Sequence, residues 1–384
     1  MSVLIEDSPR SFLVEWIATA VRNGTARGTV ITPWATPWLH HDGAGRKHRA
    51  EERAEEFRAN NVEVWFDPMT HALQIGGVGD FRYYNEYDLW AGARGDLSAP
   101  ELREGHVGKV FDVQDALGTS HLAPTVLLHA GLDSNSALAF DLAKEAIRRD
   151  PTCWLSIAGT VPFWESGAAL DAHIGALASL QPAGWFLSVV RTSTTTPVSV
   201  GPVEAHGLCR SARALSEDVP VHISHGDLAG LPAIAAGATT LGSGWDQRQR
   251  MCSYDDYDAR EPAGSGGGWF KRPTLQVLLG VVSANEATIL ETRDAALVTR
   301  LGGLPAPGVR EVFDHHLAVL SSVIQDIESQ PDFERRYRRL LTLYANARAE
   351  WPGVQRHTGS PIGAREWING VAGGLELYGR TEGW

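Results

Sequence analysis

Lysine, cysteine and long apolar segments are all scarce in this chain of 384 residues. Lysine occurs only at positions 47, 109, 144 and 271, and this bias toward arginine is typical of GC-rich, bacterial-type composition. The 3 cysteines are far apart, so we expect neither a disulfide scaffold nor a cysteine-ligated structural zinc. No apolar run approaches the roughly 18 residues that cross a bilayer. Met1 to Arg10 lacks the pattern of a signal peptide, so we expect a cytoplasmic protein without a membrane partner.

Several catalytic signatures are missing as well. The chain has no GxSxG, no GxGxxG after a strand and no GxxxxGK[ST], which argues against a serine hydrolase, a Rossmann dehydrogenase and a P-loop nucleotidase. The net charge of −12 disfavours a nucleic-acid-coating surface, although a local basic patch stays open. The arginine-rich segment ERRYRRL, residues 334–340, favours a solvated or subunit-facing helix over a phosphate contact.

Short apolar runs alternate with helical patterns along most of the chain. They occupy residues 28–32, 62–66, 125–128, 153–157, 185–190, 219–223, 238–241 and 274–279. Continuous apolar strands alternating with helices are typical of a parallel sheet covered on both faces. About eight such units favour an α/β fold of the (β/α)8 TIM-type barrel kind. An open doubly wound parallel sheet is the alternative.

We place the domain boundaries where the alternation of apolar runs and helical patterns stops. We predict a barrel over residues 1–308, with an irregular aromatic insertion at about 76–105 and a mobile acidic and glycine-rich loop at 251–268. Purely helical patterns at 309–329, 332–350 and 361–378 predict a C-terminal helical extension, 309–384, packed on the barrel. Its helices offer a surface for homo-oligomer formation.

In a (β/α)8 barrel the active-site residues lie at the carboxyl ends of the strands. The polar residues at the predicted strand ends are Thr32, Asp67, His71, His129, Asp133, Arg191, His225, Asp227, Asp246 and Arg250. His, Asp and Arg are the types used for acid/base chemistry and for holding anions. We select Asp67, His129, His225 and Asp227 as candidate catalytic residues. The structural alternative is that such residues cap helices and satisfy loop backbones.

Two of these candidates gain support from their local sequence. Asp67 follows a strand in WFDPMTHALQ, and the rigid turn there would hold its side chain as a general base or nucleophile. Alternatively, Asp67 simply opens an Asp-Pro turn. His225 and Asp227 are two positions apart. If they extend a strand, they face the same way as a base and its orienting carboxylate. Alternatively, Asp227 is the N-cap of the next helix.

The segment HISHGDLAGLPAIAAGATTLGSG, residues 222–244, resembles the consecutive strand units of phosphate-binding barrels. That resemblance implies that backbone N–H groups near Gly242, Ser243 and Gly244 hold an anion, with charge from Arg250 and Arg191. Packing of small residues between a helix and a strand is the alternative explanation.

A metal site and a cofactor are not predicted. His129, Asp133, His225 and Asp227 are types that bind metals, but no HxH ends the first predicted strand. The adjacent pairs His40-His41 and His315-His316 have poor spacing for one metal ion. Nothing in the sequence identifies a cofactor.

The run GATTLGSGWDQRQR, residues 237–250, with the following glycine-rich loop and Phe270-Lys271, resembles part of the barrel of tRNA-guanine transglycosylases. The resemblance implies nucleobase exchange with one strand-end carboxylate as nucleophile and another as base. Only Asp67 and Asp246 could take these roles, and neither lies in a close copy of the family's motif. The zinc-binding cysteine cluster and the Asp-Ser-Gly-Gly turn of that family are absent, which puts both roles in doubt.

Two functional hypotheses follow. The first is a barrel enzyme, a transferase, lyase or isomerase more than an oxidoreductase, acting by acid/base chemistry on a small anionic or phosphorylated, nucleotide-like substrate. The second is a non-catalytic binding or assembly module, with the aromatic region 83–90 and the C-terminal helices as contact surfaces.

Overall fold

Eight parallel strands of one sheet organise the molecule. The computed structural model describes residues 3–8, 10, 12–33, 36, 39, 49–74, 84–192, 198–253, 272–359 and 363–384. The strands are β1 (Val3–Glu6), β2 (Gly28–Ile31), β3 (Glu63–Phe66), β4 (Leu127–Leu128), β5 (Trp154–Thr160), β6 (Gly184–Arg191), β7 (Val221–Ser224) and β8 (Thr240–Ser243). Their order is β3-β2-β1-β8-β7-β6-β5-β4. Because β1 pairs in parallel with both β2 and β8, this is the circular order of a (β/α)8 barrel, and the predicted fold class is confirmed.

The first and last strands differ from the sequence prediction. The chain enters the barrel through β1, which the apolar runs did not reveal, and the predicted run 238–241 is β8. The predicted eighth strand, Thr274 to Leu279, is wrong. Its first two residues form β10 (Thr274–Leu275), which pairs antiparallel with β11 (Gly280–Val281) outside the barrel. A further short strand, β9 (Cys252–Ser253), pairs with the end of β6.

The barrel interior holds an apolar cluster of its own. It consists of Leu4, Val30, Trp65, Leu122 and Phe186, with Trp154 packed against it. The Trp65 ring on β3 lies 4.6 Å from Trp154 on β5 and 5.5 Å from Phe186 on β6, measured between centroids. The His222 ring on β7 lies 4.3 Å from Phe186 and bonds Thr240 on β8. Side chains from opposite strands therefore meet in a filled centre.

A buried glutamine joins β3 to the segment before β4. In the described ranges no backbone pairing connects these two strands. The Gln114 amide instead donates to Phe66 O at 3.1 Å and to Leu122 O at 2.9 Å, and its oxygen accepts from Leu122 N at 3.1 Å. The Thr70 hydroxyl also donates to Thr125 O at 3.0 Å. Side chains thus bridge the seam where the backbone ladder is interrupted.

Helices cover the outside of the sheet. They are α1 (Leu13–Arg22), α2 (Ala50–Ala59), α3 (Tyr84–Tyr87), α4 (Pro100–Leu117), α5 (Ser134–Arg149), α6 (Val161–Trp164), α7 (Ala168–Ala178), α8 (Pro202–Leu215), α9 (Leu231–Ala235), α10 (Gln247–Arg250), α11 (Ala284–Arg293) and α12 (Ala295–Arg300), with 3-10 turns at Thr70–Gln74 and Asp227–Gly230. Asp133 caps α5 by accepting a hydrogen bond from Ser136 N. Within the described part of the chain no helix is long and apolar enough to cross a membrane.

Three long helices follow the barrel: α13 (Val309–Glu328), α14 (Phe333–Thr358) and α15 (Gly363–Glu382). They pack on the barrel helices, with α15 against α8 and both α13 and α14 against α9. The α14 helix continues through Pro352, beyond the predicted end at Glu350. The predicted loop 251–268 lies outside the described residues from position 254, and so do residues 76–83 of the predicted insertion.

Candidate functional site

Polar residues occupy the interior positions at the carboxyl ends of the strands. Glu6, Asp67, Ser188 and Ser224 each follow an interior residue of their strand by two positions, and alternate residues of a strand share a face. The Asp67 amide donates to Ile31 O at 2.9 Å, which extends the β3 ladder by one residue. All four are buried. A polar layer therefore lies above the apolar centre of the barrel.

Glu6 lies at the end of β1 and is only 1% exposed. Its Oε1 accepts hydrogen bonds from the Ser224 hydroxyl and from the His225 backbone N–H, both at 3.0 Å. Its Oε2 lies 3.9 Å from His225 Nε2 and has no hydrogen-bond partner among the described residues. Burial alone would raise the pKa of Glu6, but the neighbouring His225 and His222 side chains outweigh it and lower that pKa. Glu6 is therefore an anion near neutral pH.

Gly242 on β8 makes room for this carboxylate. A Cβ atom at position 242 would overlap Glu6 Oε1 and the His225 backbone nitrogen. Gly244 is similar, because its Cβ would overlap the side chain of Gln249, which bonds Trp245 N and Glu6 O. In this structure both glycines are thus in close contact with protein side chains.

Asp67 has the opposite electrostatic character. Burial raises its pKa to about 6, and the negative charge of Glu6 adds to this effect. A hydrogen bond from Met69 N to Asp67 Oδ1, 2.8 Å long, and the charge of His225 act against it. Burial and His225 lower the pKa of the nearby His71 to about 3, so that imidazole is neutral. Glu6, Asp67 and His71 therefore all lie within electrostatic range of His225.

His225 also borders a pocket. The pocket is partly open to solvent, and its lining includes Ser224, His225 and the ion pair between Arg191 and Glu204. Most of its remaining wall is apolar, formed by Val189, Val198, Val200, Leu208, Ile223 and Met251. His225 adopts a φ of 51°, a backbone conformation that non-glycine residues seldom adopt and that often occurs at functional sites.

Asp227 belongs to a second polar group. Its Oδ1 accepts from the Ser243 hydroxyl at 2.8 Å and lies 3.0 Å from His316 Nε2, while His316 Nδ1 bonds the Thr274 hydroxyl at 2.7 Å. Burial would raise the pKa of Asp227, but His316, Arg250 and the Ser243 hydrogen bond lower it to about 2. The strand ends at Ser224. Among the described contacts no hydrogen bond joins His225 to Asp227, so these two do not form the expected base and orienting carboxylate.

The other predicted site residues have partners or surroundings of their own. His129 is exposed after β4. The Arg191 guanidinium pairs with Glu204, and Arg250 donates from Nε to Gly244 O at 2.8 Å. Asp246 caps α10 by accepting from Gln249 N at 3.3 Å. The structure thus brings together Asp67 and His225, and it places Ser243, Asp227 and Arg250 in the adjoining group.

Glu6 and His222 were not predicted as site residues. Glu6 is the last residue of a four-residue strand that the apolar runs did not reveal. The available signal was the alternation of Leu4 and Glu6, which puts both on one strand face. Within the described ranges no group of three or more His, Cys, Asp or Glu residues has the arrangement of a metal site.

Comparisons with known proteins add little beyond this geometry. No protein-family model and no curated protein matches the chain. Among solved structures, a psychrophilic glycoside hydrolase family 10 endo-β-1,4-xylanase matches 62% of this chain and 85% of its own, at 12% identity and a TM-score of 0.35. A likeness this low identifies neither a substrate nor a reaction. The chain is assigned to the (β/α)8 barrels on its circular strand order.

Proposed function

We propose that this barrel is an enzyme that moves a proton to or from its substrate at the carboxyl ends of β1, β3 and β7. Asp67 is the proton donor and acceptor, and Glu6 is a fixed anion beside it. One observation carries the proposal: two buried carboxyl groups lie at interior strand ends of one barrel, near enough for the charge of Glu6 to act on Asp67, and their surroundings shift their pKa values in opposite directions. Such divergence is the usual basis for separate acid and base roles.

The proposed roles follow from the protonation states. A carboxyl with a pKa of about 6 changes its protonation near neutral pH, as a general acid or base must. The Glu6 carboxylate stays ionised, so it can stabilise positive charge that develops on a substrate. His225 contacts Glu6 and borders the apolar pocket, so a molecule bound in this pocket would lie next to His225.

The nucleobase-exchange alternative has less support. It needs Asp246 as the second carboxylate, but Asp246 accepts a capping hydrogen bond at the start of α10. Asp227 and His129 also have weaker claims as catalytic residues than the sequence suggested. Asp227 is held by Ser243 and His316, and His129 is exposed.

The experiment is a turnover screen with nitrophenyl esters, glycosides and phosphate monoesters, and with proton exchange into carbonyl compounds followed by NMR in D2O. For any substrate that is turned over, Asp67→Asn should lower kcat/KM by about 100-fold or more, since positioned proton transfer contributes about 10²–10⁴-fold. The wild-type rate should show an inflection near pH 6 that Asp67→Asn abolishes. Asp218→Asn, at an exposed aspartate, is the control and should have no effect. An unchanged rate in Asp67→Asn would refute the proposal.

A further inference from the structure

We infer that this site binds an uncharged or cationic group through its O–H or N–H donors, such as a polyol or an amino alcohol, and excludes anions. The inference rests on the proposed function, since it concerns the ligand of the same site. It departs from the anionic substrate that the sequence suggested.

The hydrogen-bonding capacity of Glu6 carries the argument. Its Oε1 already accepts two hydrogen bonds, from Ser224 and His225. Its Oε2 is buried and accepts none from the described residues. Leaving a buried carboxylate oxygen without a donor is costly, and native structures rarely do so. The matching group on a ligand is therefore a hydrogen-bond donor.

The charged residues around the site also disfavour an anionic ligand. Arg53 pairs with Asp7 at 2.5 Å, Arg191 pairs with Glu204, and the charge of Arg250 acts on Asp227. The guanidinium groups of Arg53 and Arg191 are thus paired with carboxylates of the protein, and that of Arg250 lies within electrostatic range of Asp227. An anionic ligand beside Glu6 would meet a like charge in a buried place, where screening by water and salt is weak.

Asp67 strengthens this selectivity when it ionises. The titratable groups whose charges act on it are Glu6 from β1 and His225 after β7, while His71, in the turn after β3, is neutral. Deprotonation of Asp67 adds a second negative charge next to Glu6. A cationic ligand should therefore bind more tightly as the pH rises through about 6, and an anionic ligand more weakly.

The experiment compares three probes with one three-carbon skeleton: serinol, which is cationic, glycerol, which is neutral, and glycerate, which is anionic. Dissociation constants are measured by ligand-observed NMR on the full chain. Serinol and glycerol should bind at least about 10-fold more tightly than glycerate. Glu6→Gln should weaken serinol binding by about 10-fold or more, as expected for loss of a hydrogen bond to a charged group. Glu217→Gln, at an exposed glutamate, is the control and should have no effect.

Other outcomes separate the inference from the proposed function. Tighter binding of glycerate that depends on Glu6 would overturn the charge selectivity but keep the site. Failure of all three probes to bind in a Glu6-dependent way would overturn the inference, while the Asp67→Asn turnover screen tests the enzyme separately. If Glu6→Gln does not fold, as judged by circular dichroism, Asp67→Asn replaces it. That variant should abolish the rise in serinol affinity above about pH 6, and an unchanged pH profile would contradict the inference.

Discussion

At the scale of single residues, the buried carboxyl group of Asp67 lowers the stability of the fold when it ionises. Its pKa rises from 3.8 to about 6 on folding, so between these pH values the folded protein holds a proton that the unfolded chain has lost. Stability therefore falls as pH rises through this window. Above pH 6 this change in pKa lowers the free energy of unfolding by about 3 kcal/mol.

Asp67→Asn should consequently stabilise the protein by about 2 kcal/mol at pH 8 and leave it unchanged below pH 4. The asparagine keeps an oxygen that can accept from Met69 N but carries no charge. Denaturant unfolding at three pH values measures this, with Asp218→Asn as the control. A variant less stable than the wild type at pH 8 would show that the Asp67 carboxylate is stabilised by contacts outweighing its burial.

Gly242→Ala should destabilise the fold by about 2 kcal/mol, because the added methyl overlaps Glu6 Oε1 and His225 N and overpacked sites cost about 1–3 kcal/mol. The matched control is Gly175→Ala inside α7, where a Cβ meets nothing within 4 Å and alanine favours the helix. Thermal unfolding of both variants gives the comparison. Equal stability of the two would mean that Glu6 can move aside freely.

Only some of these residues were predictable from the sequence. Asp67 and His225 were predicted because they follow recognisable strands. Glu6 was not predicted, since a four-residue strand carries too few positions for an alternation to stand out. The pKa shifts were also beyond prediction, because they depend on burial and on neighbours distant in sequence.

At the scale of secondary-structure elements, α13 is tied to the end of the barrel by one buried imidazole. His316 lies within hydrogen-bond distance of Asp227, Ser243 and Thr274, so it links the helical extension to β8, to the turn after β7 and to β10. The helix itself was predictable from its periodicity. The partner of His316 was not predictable, because no local feature of the sequence specifies which buried carboxylate a histidine contacts.

His316→Leu should destabilise the protein by about 3 kcal/mol, since it removes a buried partner from the Asp227 carboxylate. The control is His315→Leu on the same helix, which loses a single half-buried hydrogen bond to Thr274 O and should cost about 1 kcal/mol. Denaturant unfolding distinguishes the two values. If both variants lose the same small amount, Asp227 is sufficiently stabilised by Ser243 and Arg250.

At the scale of the whole molecule, the barrel depends on Gln114 where β3 and β4 are not paired by backbone. The number of apolar runs was enough to predict a barrel. It was not enough to assign every strand, because the run at 274–279 has the composition of a buried strand but turns back on itself to pair with β11. A helix side chain that joins two strands lacking backbone pairing also leaves no recognisable pattern in the sequence.

Gln114→Leu should destabilise the protein by about 3 kcal/mol, because it leaves Phe66 O, Leu122 O and Leu122 N without this partner in the interior. Gln325→Leu, at an exposed position of α13, is the control and should change stability by less than about 0.5 kcal/mol. Hydrogen exchange should also quicken at Leu122 in the first variant. Unaltered exchange there would mean that the seam is held without the glutamine.

The pairing of β1 with β8 has a consequence for how the molecule is made. Val3 pairs with Leu241, so the Glu6 strand cannot finish its ladder until a segment synthesised far later has emerged from the ribosome. Such distant pairing makes folding slow, since a long loop must close before the contact forms. The carboxylate, its backbone donor at His225 and the glycine that accommodates it therefore come together in one late event. A nascent chain that stops short of β8 carries Glu6 but has no assembled site.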